Sequence, residues 1–424
     1  MIEGHLSSSA AAPCFEANGR TAERDVVLLS FHIGGNASTY GEQANTSSIP
    51  LHVESWPAAS VPKAIYDCWL MFLAASDGPC PVLQAPESLA VAAAMNNGAT
   101  LHLLVVRDST GEIIGLQPVQ RGSLSVRFKT RKKTWFTIPT PGVSLIGTEP
   151  LTTRKDLKPI IVRSILHFLR DEKAVEFREL KTDDPIESEV VSFAKSAHGF
   201  HRAGYRSTWR YAYVPASVGA YNTDLGKKKA YNLRRQDRIL MENLGGDLNL
   251  KVVRDLTDLN LVVEAINQIT GWSPAMLRWA TRDAELSCRE AVACFFVVRC
   301  NQRLVGLVRA TTWGNILHVH SMHHDNTLEK FSPGTVSWQA VIRWVIEGQT
   351  IRRIVFAYGA PARGNKPASV AEERSHVFIY KRGVWTSTVI QSHRLFVACK
   401  TLGSRFMLGL KPSVSMSATA NATR

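Results

Sequence analysis

The segment Lys330–Thr335, which reads KFSPGT, has the residue types of a helix start that binds phosphate. Ser332 is a favourable N-cap residue, because its hydroxyl accepts a hydrogen bond from an amide of the first turn. Pro333 suits the first helical position, where a missing N–H has no cost, and Gly334 leaves the amides open because it has no Cβ. The N-terminus of a helix attracts phosphate, and a nearby lysine adds charge. A capped helix without a ligand fits the same residues, but we take the phosphate-binding set to be Lys330, Ser332, Gly334 and Thr335.

A histidine-rich strand precedes this segment. The predicted strand Ile316–Met322 and its exit contain four histidines, which are His318, His320, His323 and His324. Imidazole titrates near neutral pH, so a histidine here can act as a general base, although each ring also fits a structural role. Neighbouring strand positions face opposite sides, so the four rings cannot converge, and we expect no metal site. We expect His318 and His320 to share one face with Met322, and His323 and His324 to lie in the loop. Our first candidate for the proton acceptor is His320, and the second is His323.

Two similar stretches, Leu103–Val119 and Phe295–Ala310, indicate how the chain is built. Each has an apolar run that ends in Val-Val-Arg, then a polar turn, then a second apolar run with one glycine, Gly115 or Gly306. This is the pattern of a β-hairpin. Because the copies are separated by the length of a whole domain, they predict two related domains in tandem rather than a solenoid.

The segments after each hairpin agree with a duplication. The first is followed by a helical pattern at Lys155–Arg170 and a strand at Ala174–Leu180, and the second by the histidine-rich strand, a helix at Ser332–Glu347 and a strand at Arg353–Tyr358. Each half therefore reads as helix, antiparallel strands, helix and strand. The first half has no Ser-Pro-Gly before its helix, since Thr152–Asp156 reads TTRKD. We expect a single phosphate site, in the second half.

The charge of the chain favours anionic partners. Its 424 residues carry 50 basic and 36 acidic side chains, a net charge of +14, concentrated in Arg121–Lys133 and Gly226–Arg238. These clusters fit phosphates, acidic glycans, nucleic acid or a membrane surface, and equally a solvated surface. Leu225–Leu244 reads as a basic amphipathic helix whose apolar stripe favours a bracing role between the domains. No run is long and apolar enough for a membrane span, the N-terminus lacks a secretory pattern, and seven cysteines without a CxxC pair indicate reduced thiols in a cytoplasmic protein.

Three stretches resemble the CelD-like acetyltransferases, a family that occurs with bacterial polysaccharide genes. The basic helix KKKAYNLRRQDRIL (227–240) is similar to the family's Arg-rich central segment, FSPGTVSWQAVIRWVIEGQ (331–349) to its Ser-Pro-Gly helix, and RRIVFAYG (352–359) to the strand that follows. The resemblance covers residues 55 to 400. It implies the Gcn5-related N-acetyltransferase (GNAT) superfamily and the tandem architecture of the Fem transferases.

The fold implied is α/β, more narrowly α+β, with two tandem GNAT-like domains, each a mixed, mostly antiparallel sheet flanked by helices. We expect a disordered or loosely attached segment (1–54), an N-terminal domain (55–215), a basic linking helix (216–248), a C-terminal acyl-CoA-binding domain (249–410) and a disordered tail (411–424).

The resemblance also implies a chemistry. An acceptor amine, or less often a hydroxyl, attacks the thioester of acetyl-CoA or another acyl-CoA directly. In this fold the backbone amides of the strand before the phosphate loop, including Ser321 and Met322, contact the acyl-CoA, and a bulge in that strand would expose them. Tyr358 is expected to donate a proton to the leaving thiolate. The acceptor contacts we expect are Trp209, Tyr211, Arg234 and Arg235.

The last strand departs from the family pattern. The family often has an acidic residue in this strand and a Tyr-Lys pair soon after its glycine. Here Phe356, Tyr358 and Gly359 are followed by APARGNK. Either Lys366 or the pair Tyr380–Lys381 fits the Tyr-Lys role, so the sequence does not decide which residues form the acceptor pocket.

Three functions fit the sequence. The first is an acyl-CoA-dependent acyltransferase acting on a sugar amine, a glycan or a related small acceptor. The second is a Fem-like transfer of an amino acid from charged tRNA to a peptidoglycan precursor, with the basic clusters holding RNA. The third is a non-catalytic subunit of polysaccharide assembly that keeps the fold, because fold alone does not fix function.

Overall fold

The computed structural model describes residues 26–30, 50–76, 81–95, 100–130, 134–147, 149–356 and 369–409. The first half contains β1 (Val26–Ser30), β2 (Pro50–Pro57), α1 (Lys63–Ala75), α2 (Pro86–Met95), β3 (Thr100–Arg107), β4 (Ile113–Lys129), β5 (Thr134–Leu145), α3 (Lys158–Phe168), β6 (Ala174–Lys181), α4 (Pro185–Ala197) and β7 (His198–Tyr213). The middle contains α5 (Val218–Leu225) and α6 (Lys227–Leu244). The second half contains β8 (Leu248–Val253), α7 (Leu259–Asn267), α8 (Pro274–Arg289), β9 (Ala293–Cys300), β10 (Arg303–Trp313), β11 (Ile316–His324), α9 (Pro333–Gly348), β12 (Arg353–Phe356), β13 (Ser369–Lys381) and α10 (Val384–Gly409).

All the strands of the described residues form one sheet, in the order β1-β2-β3-β4-β5-β6-β13-β7-β12-β11-β10-β9-β8. Neighbouring strands are antiparallel except at β5–β6 and β11–β12. Parallel strands need a crossover connection, which α3 and α9 provide. The predicted fold class, a mixed and mostly antiparallel sheet with flanking helices, is confirmed, as is the order of helix, strands, helix and strand within each half.

The two halves exchange their last strands. The last strand of the first half, β7, pairs with β12 of the second half, while β13 lies between β6 and β7. The two halves are therefore joined through backbone hydrogen bonds, which the sequence patterns did not indicate. The first fifty residues also contribute a strand, since β1 pairs with β2 at the edge of the sheet. The domain boundaries remain predictions.

The strands have apolar side chains on both faces because helices cover both sides of the sheet. In β3, Leu104 and Val106 pack with α3, while Leu103 and Val105 pack with α1. In the second half, Val308 packs with α9, while Leu307 packs with α7 and α8. This two-sided burial explains the continuous apolar runs of the two hairpins.

The glycine in each hairpin allows the following helix to approach the sheet closely. A Cβ at Gly115 would lie 2.9 Å from Ile161 of α3, and a Cβ at Gly306 would lie 2.2 Å from the hydroxyl of Ser337 of α9. The same residue type thus has the same packing role in both halves. The glycine that the two hairpins share therefore serves the packing of a helix on the sheet.

The basic helix predicted at the domain junction is divided in two at Gly226, where φ is 79°. In α6 the buried residues are Ala230, Leu233, Asp237 and Leu240. Asp237 forms an ion pair with Arg343 of α9. The inner face of α6 therefore packs against the second half of the protein, in agreement with the predicted bracing role. No helix within the described ranges is long and apolar enough to cross a membrane.

Candidate active site

A β-bulge interrupts β11 at His320. In the antiparallel ladder Arg309 pairs with Ser321 and Ala310 pairs with Val319, so His320 has no partner residue on β10. A bulge of this kind leaves the extra residue outside the regular ladder and re-aims the groups around it. The bulge lies in the strand whose backbone amides are expected, from the family resemblance, to contact acyl-CoA.

Within the described residues, β11 pairs in parallel with β12 from Ile316 to Val319, and the described part of β12 ends at Phe356. From His320 onward, β11 continues its antiparallel pairing with β10.

The bulge changes which side chains share a face. Met322 pairs with Val308, which packs on α9, whereas His323 pairs with Leu307, which packs on α7 and α8. His318 and His320 therefore share their face with His323, and our expectation that they share it with Met322 was wrong, because the extra residue reverses the alternation. His323 and the following histidine also lie in β11 rather than in the loop.

His320, the first candidate base, is half-buried and has defined neighbours. Its Nε2 lies 3.0 Å from Oγ1 of Thr311, and its ring packs edge-on against His318 at 4.4 Å between centroids. Burial, then the charge of His318 and of Arg309, hold the pKa of His320 well below its ordinary value. Arg309 is in turn paired with Asp283 at 2.7 Å. At neutral pH the imidazole of His320 is neutral, as a proton acceptor must be.

The second candidate, His323, is also held in its neutral form. Its ring lies edge-on to Trp272 at 4.6 Å, and burial lowers its pKa. Trp272 belongs to the connection between α7 and α8. His323 therefore lies on the same face of the sheet as His320, further along β11.

His318 rests on an aromatic and cationic stack. Its ring stacks on Trp209 with centroids 5.9 Å apart, and burial lowers its pKa to about 4. The guanidinium of Arg374, from β13, lies 4.9 Å from the centre of the Trp209 ring. Trp209 is only 1% exposed, so it supports His318 and offers no surface to a substrate, in contrast to its predicted contact role. Tyr211 is half-buried on the same strand, with the Arg353 guanidinium 5.7 Å from its ring.

The start of α9 differs in one respect from the prediction. Pro333 occupies the first turn as expected, but the side chain of Ser332 makes no capping hydrogen bond. Ser332 has φ 56° and ψ 50°, which is the left-handed region and not the extended conformation that side-chain capping requires. Its carbonyl accepts from the amides of Thr335 (2.9 Å) and Val336, and its hydroxyl receives a long contact of 3.5 Å from Nε2 of Gln236.

Open space and unpartnered polar atoms surround this helix start. A Cβ at Gly334 would meet only Met322 at 3.5 Å and Nδ1 of His324 at 3.6 Å, which are ordinary contact distances. Nδ1 of His324 and Oε1 of Gln236 are buried without a hydrogen-bond partner among the described residues. Lys330 is exposed, with its ammonium 4.7 Å from the ring of Phe331. Nδ1 of His324, when it carries a proton, is a donor beside the positive end of a helix and fits a phosphate group, whereas Oε1 of Gln236 only accepts.

Several residues of this region were not identified from the sequence as site residues. Among them are Gln236, Arg309, Thr311 and His324. Gln236 lies in a helix that read only as basic and amphipathic, and Arg309 and Thr311 lie in an apolar hairpin strand. For His324 a signal was available, as part of the histidine-rich strand and its exit, but only His320 and His323 were taken as candidates.

The equivalent position in the first half is filled by the protein itself. The loop after β5 is held by Gln84, whose Nε2 donates to the carbonyls of Ile146 (3.0 Å) and Glu149 (2.9 Å). A Cβ at Gly147 would lie 2.4 Å from the Gln84 side chain. At the start of α3, Lys158 forms an ion pair with Glu149, a carboxylate of the protein itself. The described residues before α3 are thus held by contacts within the protein.

The remaining predicted residues are distributed as follows. Arg234 and Arg235 are exposed on α6. Tyr380 and Lys381 pair with β6 and β7 beside α10, so this pair lies in the first half of the sheet and not beside β11. Tyr358 and Lys366 lie outside the described residues.

Several solved structures align with most of this chain, at TM-scores below 0.5. FemX shares 11% identity with a TM-score of 0.48, over 79% of this chain and 99% of that one. A tandem GNAT protein from the clavulanic acid biosynthesis pathway shares 15% identity with a TM-score of 0.47, over 78% of this chain and 99% of that one. L-PGS from Bacillus licheniformis shares 13% identity with a TM-score of 0.43, over 78% and 96%.

The sequence comparisons give a narrower result. No curated protein matches the chain. One family model, described as an acetyltransferase (GNAT) domain, matches residues 227–365, which extend from the start of α6 past the end of β12. The bulged strand β11 and the start of α9 thus lie within the segment that this model matches.

Proposed function

We propose that this protein is an acyl-CoA-dependent acyltransferase that transfers an acyl group to an amine or hydroxyl of a sugar, glycan or related small acceptor. The observation that carries the proposal is the coincidence of two features within the segment that matches the acetyltransferase (GNAT) model. These features are the bulge at His320 and the start of α9 at Gly334. Together they would provide one site with backbone groups outside the regular ladder, a neutral base and a helix end that binds phosphate.

Acyl-CoA fits this site through its phosphates and its backbone-binding arm. The pyrophosphate would lie at the start of α9, near Gly334 and Lys330, where Nδ1 of His324 is unpartnered and can donate when it carries a proton. The pantetheine arm would run along β11 beside the bulge, with the backbone of Ser321 as a hydrogen-bonding group. The side chains of Ser332 and Thr335 remain proposed contacts, as does the neighbouring Met322.

The reaction would proceed by direct attack. The acceptor nitrogen or oxygen forms a bond to the thioester carbonyl carbon, the C–S bond breaks, and the sulfur leaves as a thiolate. Backbone N–H groups at the bulge would stabilise the negative charge that develops on the carbonyl oxygen. His320 would take the proton that the acceptor loses, and Tyr358 would return a proton to the thiolate.

The acceptor class is supported by two tyrosines of β7, the strand that lies on the far side of β12 from β11. Tyr211 and Tyr213 have rings 6.1 Å apart; Tyr213 is 63% exposed and Tyr211 is half-buried. Arg353 lies over Tyr211. Aromatic rings with a polar end and a neighbouring guanidinium provide both apolar contact and hydrogen bonds, which suits a sugar. A role in bacterial polysaccharide synthesis, as in the CelD-like family, and a cytoplasmic location belong to this proposal.

Replacing His320 by glutamine is expected to lower kcat by roughly a hundredfold to a thousandfold, because the proton acceptor is lost. The affinity for acetyl-CoA should be unchanged, since the helix start is not altered. The measurement is thiol release from acetyl-CoA with a panel of amino sugars, together with calorimetric titration. The matched control is His167→Gln in α3, which should retain activity. Full turnover by the His320 variant would exclude this residue as the base.

One titration separates the proposed function from its alternatives. Wild-type protein should bind acetyl-CoA with a stoichiometry of one, and the absence of binding would overturn the proposal. The Fem-like alternative is supported by Lys227, Lys228 and Arg234, which are exposed on α6 and form no salt bridge among the described residues. If tRNA binds instead, and binding is lost when these three residues are replaced by glutamine, that alternative is correct.

A further inference from the structure

The tip of the β4–β5 hairpin and α10 form a common surface. Phe128 of β4 stacks on Phe136 of β5 at 4.2 Å between centroids, and both strands belong to the first half. The ring of Phe128 also packs edge-on against Phe396 (5.5 Å) and His393 (5.0 Å) of α10. Helix α10 therefore packs against the β4–β5 hairpin through these rings.

This surface exposes large apolar side chains. The exposed fractions are 58% for Trp135, 51% for Phe136, 66% for Leu395 and 65% for Leu402. Other exposed positions of α10 include the uncharged residues Thr388, Gln391, Ser392, Ala398 and Cys399, together with Arg394. Helices on the surface of soluble proteins usually place many charged side chains on their outer face. An outer face of mainly uncharged residues beside two exposed aromatic rings therefore indicates a binding surface.

The segments that build the surface contain no acid. The sequence has no Asp or Glu between Glu112 and Glu149, which includes β4 and β5, and none after Glu373, which includes α10. Exposed basic residues are present in both segments, for example Arg127 at the hairpin and Arg394 on α10. The surface thus combines apolar side chains with positive charge and with no compensating carboxylate of its own.

We propose that this surface docks the protein onto an anionic membrane. Aromatic side chains enter the boundary between lipid headgroups and acyl chains, and arginine is attracted by anionic headgroups. A second copy of the chain is a poorer fit, because a symmetric contact would bring two basic faces together. Nucleic acid would leave Leu395 and Leu402 without apolar partners. The proposal concerns a surface away from β11 and does not depend on the proposed reaction.

The test is co-sedimentation of the full chain with lipid vesicles. Wild-type protein should bind vesicles that contain phosphatidylglycerol, should bind pure phosphatidylcholine vesicles at least tenfold more weakly, and should lose affinity as salt rises. The double variants Trp135→Ser/Phe136→Ser and Leu395→Ser/Leu402→Ser should each bind at least tenfold more weakly. Because these four side chains are exposed, the circular dichroism spectra of both variants should equal that of the wild type.

The matched control is the double variant Met276→Ser/Trp279→Ser on α8. These side chains are 47% and 55% exposed but lie on a different surface. This variant should bind vesicles like the wild type, and an equal loss in it would overturn the proposal. Absence of binding to anionic vesicles would also overturn the proposal. A wild-type dimer that Leu395→Ser/Leu402→Ser converts to a monomer would overturn it as well, because the surface would then be a protein interface.

Discussion

The substitution Gly334→Glu is expected to weaken acetyl-CoA binding by roughly a hundredfold or more, which is about 2.7 kcal/mol. The new carboxylate would lie at the start of α9, in the space beside Met322 and His324, where the pyrophosphate is proposed to bind. It would block that space and repel the phosphates. Calorimetric titration of acetyl-CoA measures the effect directly.

The structure predicts that this substitution will not unfold the protein. The contacts that a Cβ would make at Gly334 are of ordinary length, and a carboxylate in the first turn of a helix is favourable by about 0.3–1 kcal/mol. The melting temperature should therefore be unchanged or slightly raised while binding is lost. The control is Gly334→Ala, which adds only the Cβ and should bind acetyl-CoA nearly as well as the wild type. Equal binding by the glutamate variant would show that the phosphates lie elsewhere.

The second large effect is a loss of stability at acidic pH. Lowering the pH from about 7.5 to about 5 is expected to reduce the free energy of unfolding by about 4 kcal/mol through two buried histidines. Burial lowers the pKa of His318 to about 4 and that of His201 to about 3, against an ordinary value of 6.5. In the unfolded chain both rings take up a proton below pH 6.5, whereas in the folded protein they do not. Stability is therefore highest above about pH 6.5 and falls as the pH approaches the two folded-state values.

The surroundings of His201 explain why it resists protonation. Its Nε2 lies 2.9 Å from Nδ1 of His393, whose Nε2 lies 3.2 Å from the carbonyl of Arg127. A carbonyl only accepts, so Nε2 of His393 must donate, and its Nδ1 then accepts from His201. A second proton on His393 would break this chain. This buried chain also joins α10 to β4 and β7.

Urea unfolding at several pH values tests the acid prediction. Between about pH 6.5 and pH 5 the ordinary carboxylate pKa values are not reached, so the decrease reports mainly on histidines. The variant His201→Gln should show a shallower decrease, by about 2 kcal/mol over the whole range, whatever its stability at neutral pH. A wild-type stability that is the same at both ends of the range would contradict the assignment.

Local elements were predictable because their signals are local. The two Val-Val-Arg hairpins, the helix that begins at Pro333 and the inner face of α6 follow from apolar periodicity and from helix-start chemistry, which act within about ten residues. The presence of one open helix start was also predictable, since the first half lacks the Ser-Pro-Gly sequence. The catalytic and binding roles of the predicted residues remain predictions.

Other features arise from contacts between distant residues. The exchange of β7 and β13 joins strands that are far apart in the chain, and no pattern within either strand specifies its partner. The hydrogen bonds from Gln84 reach the loop around Gly147, which follows β5 and is about sixty residues further along the chain. The sequence of α10 did not indicate that this helix packs against the hairpin of the first half.

The sequence alone therefore determined that the chain contains two similar halves, that it is basic and that a helix beginning at Pro333 follows a histidine-rich strand. Only the tertiary structure decided which histidines share a face of the sheet. One extra residue at His320 reverses the alternation of side chains, so His323, and not Met322, joins the face of His318. A bulge is a property of two paired strands, because it exists only where the partner strand has one residue fewer.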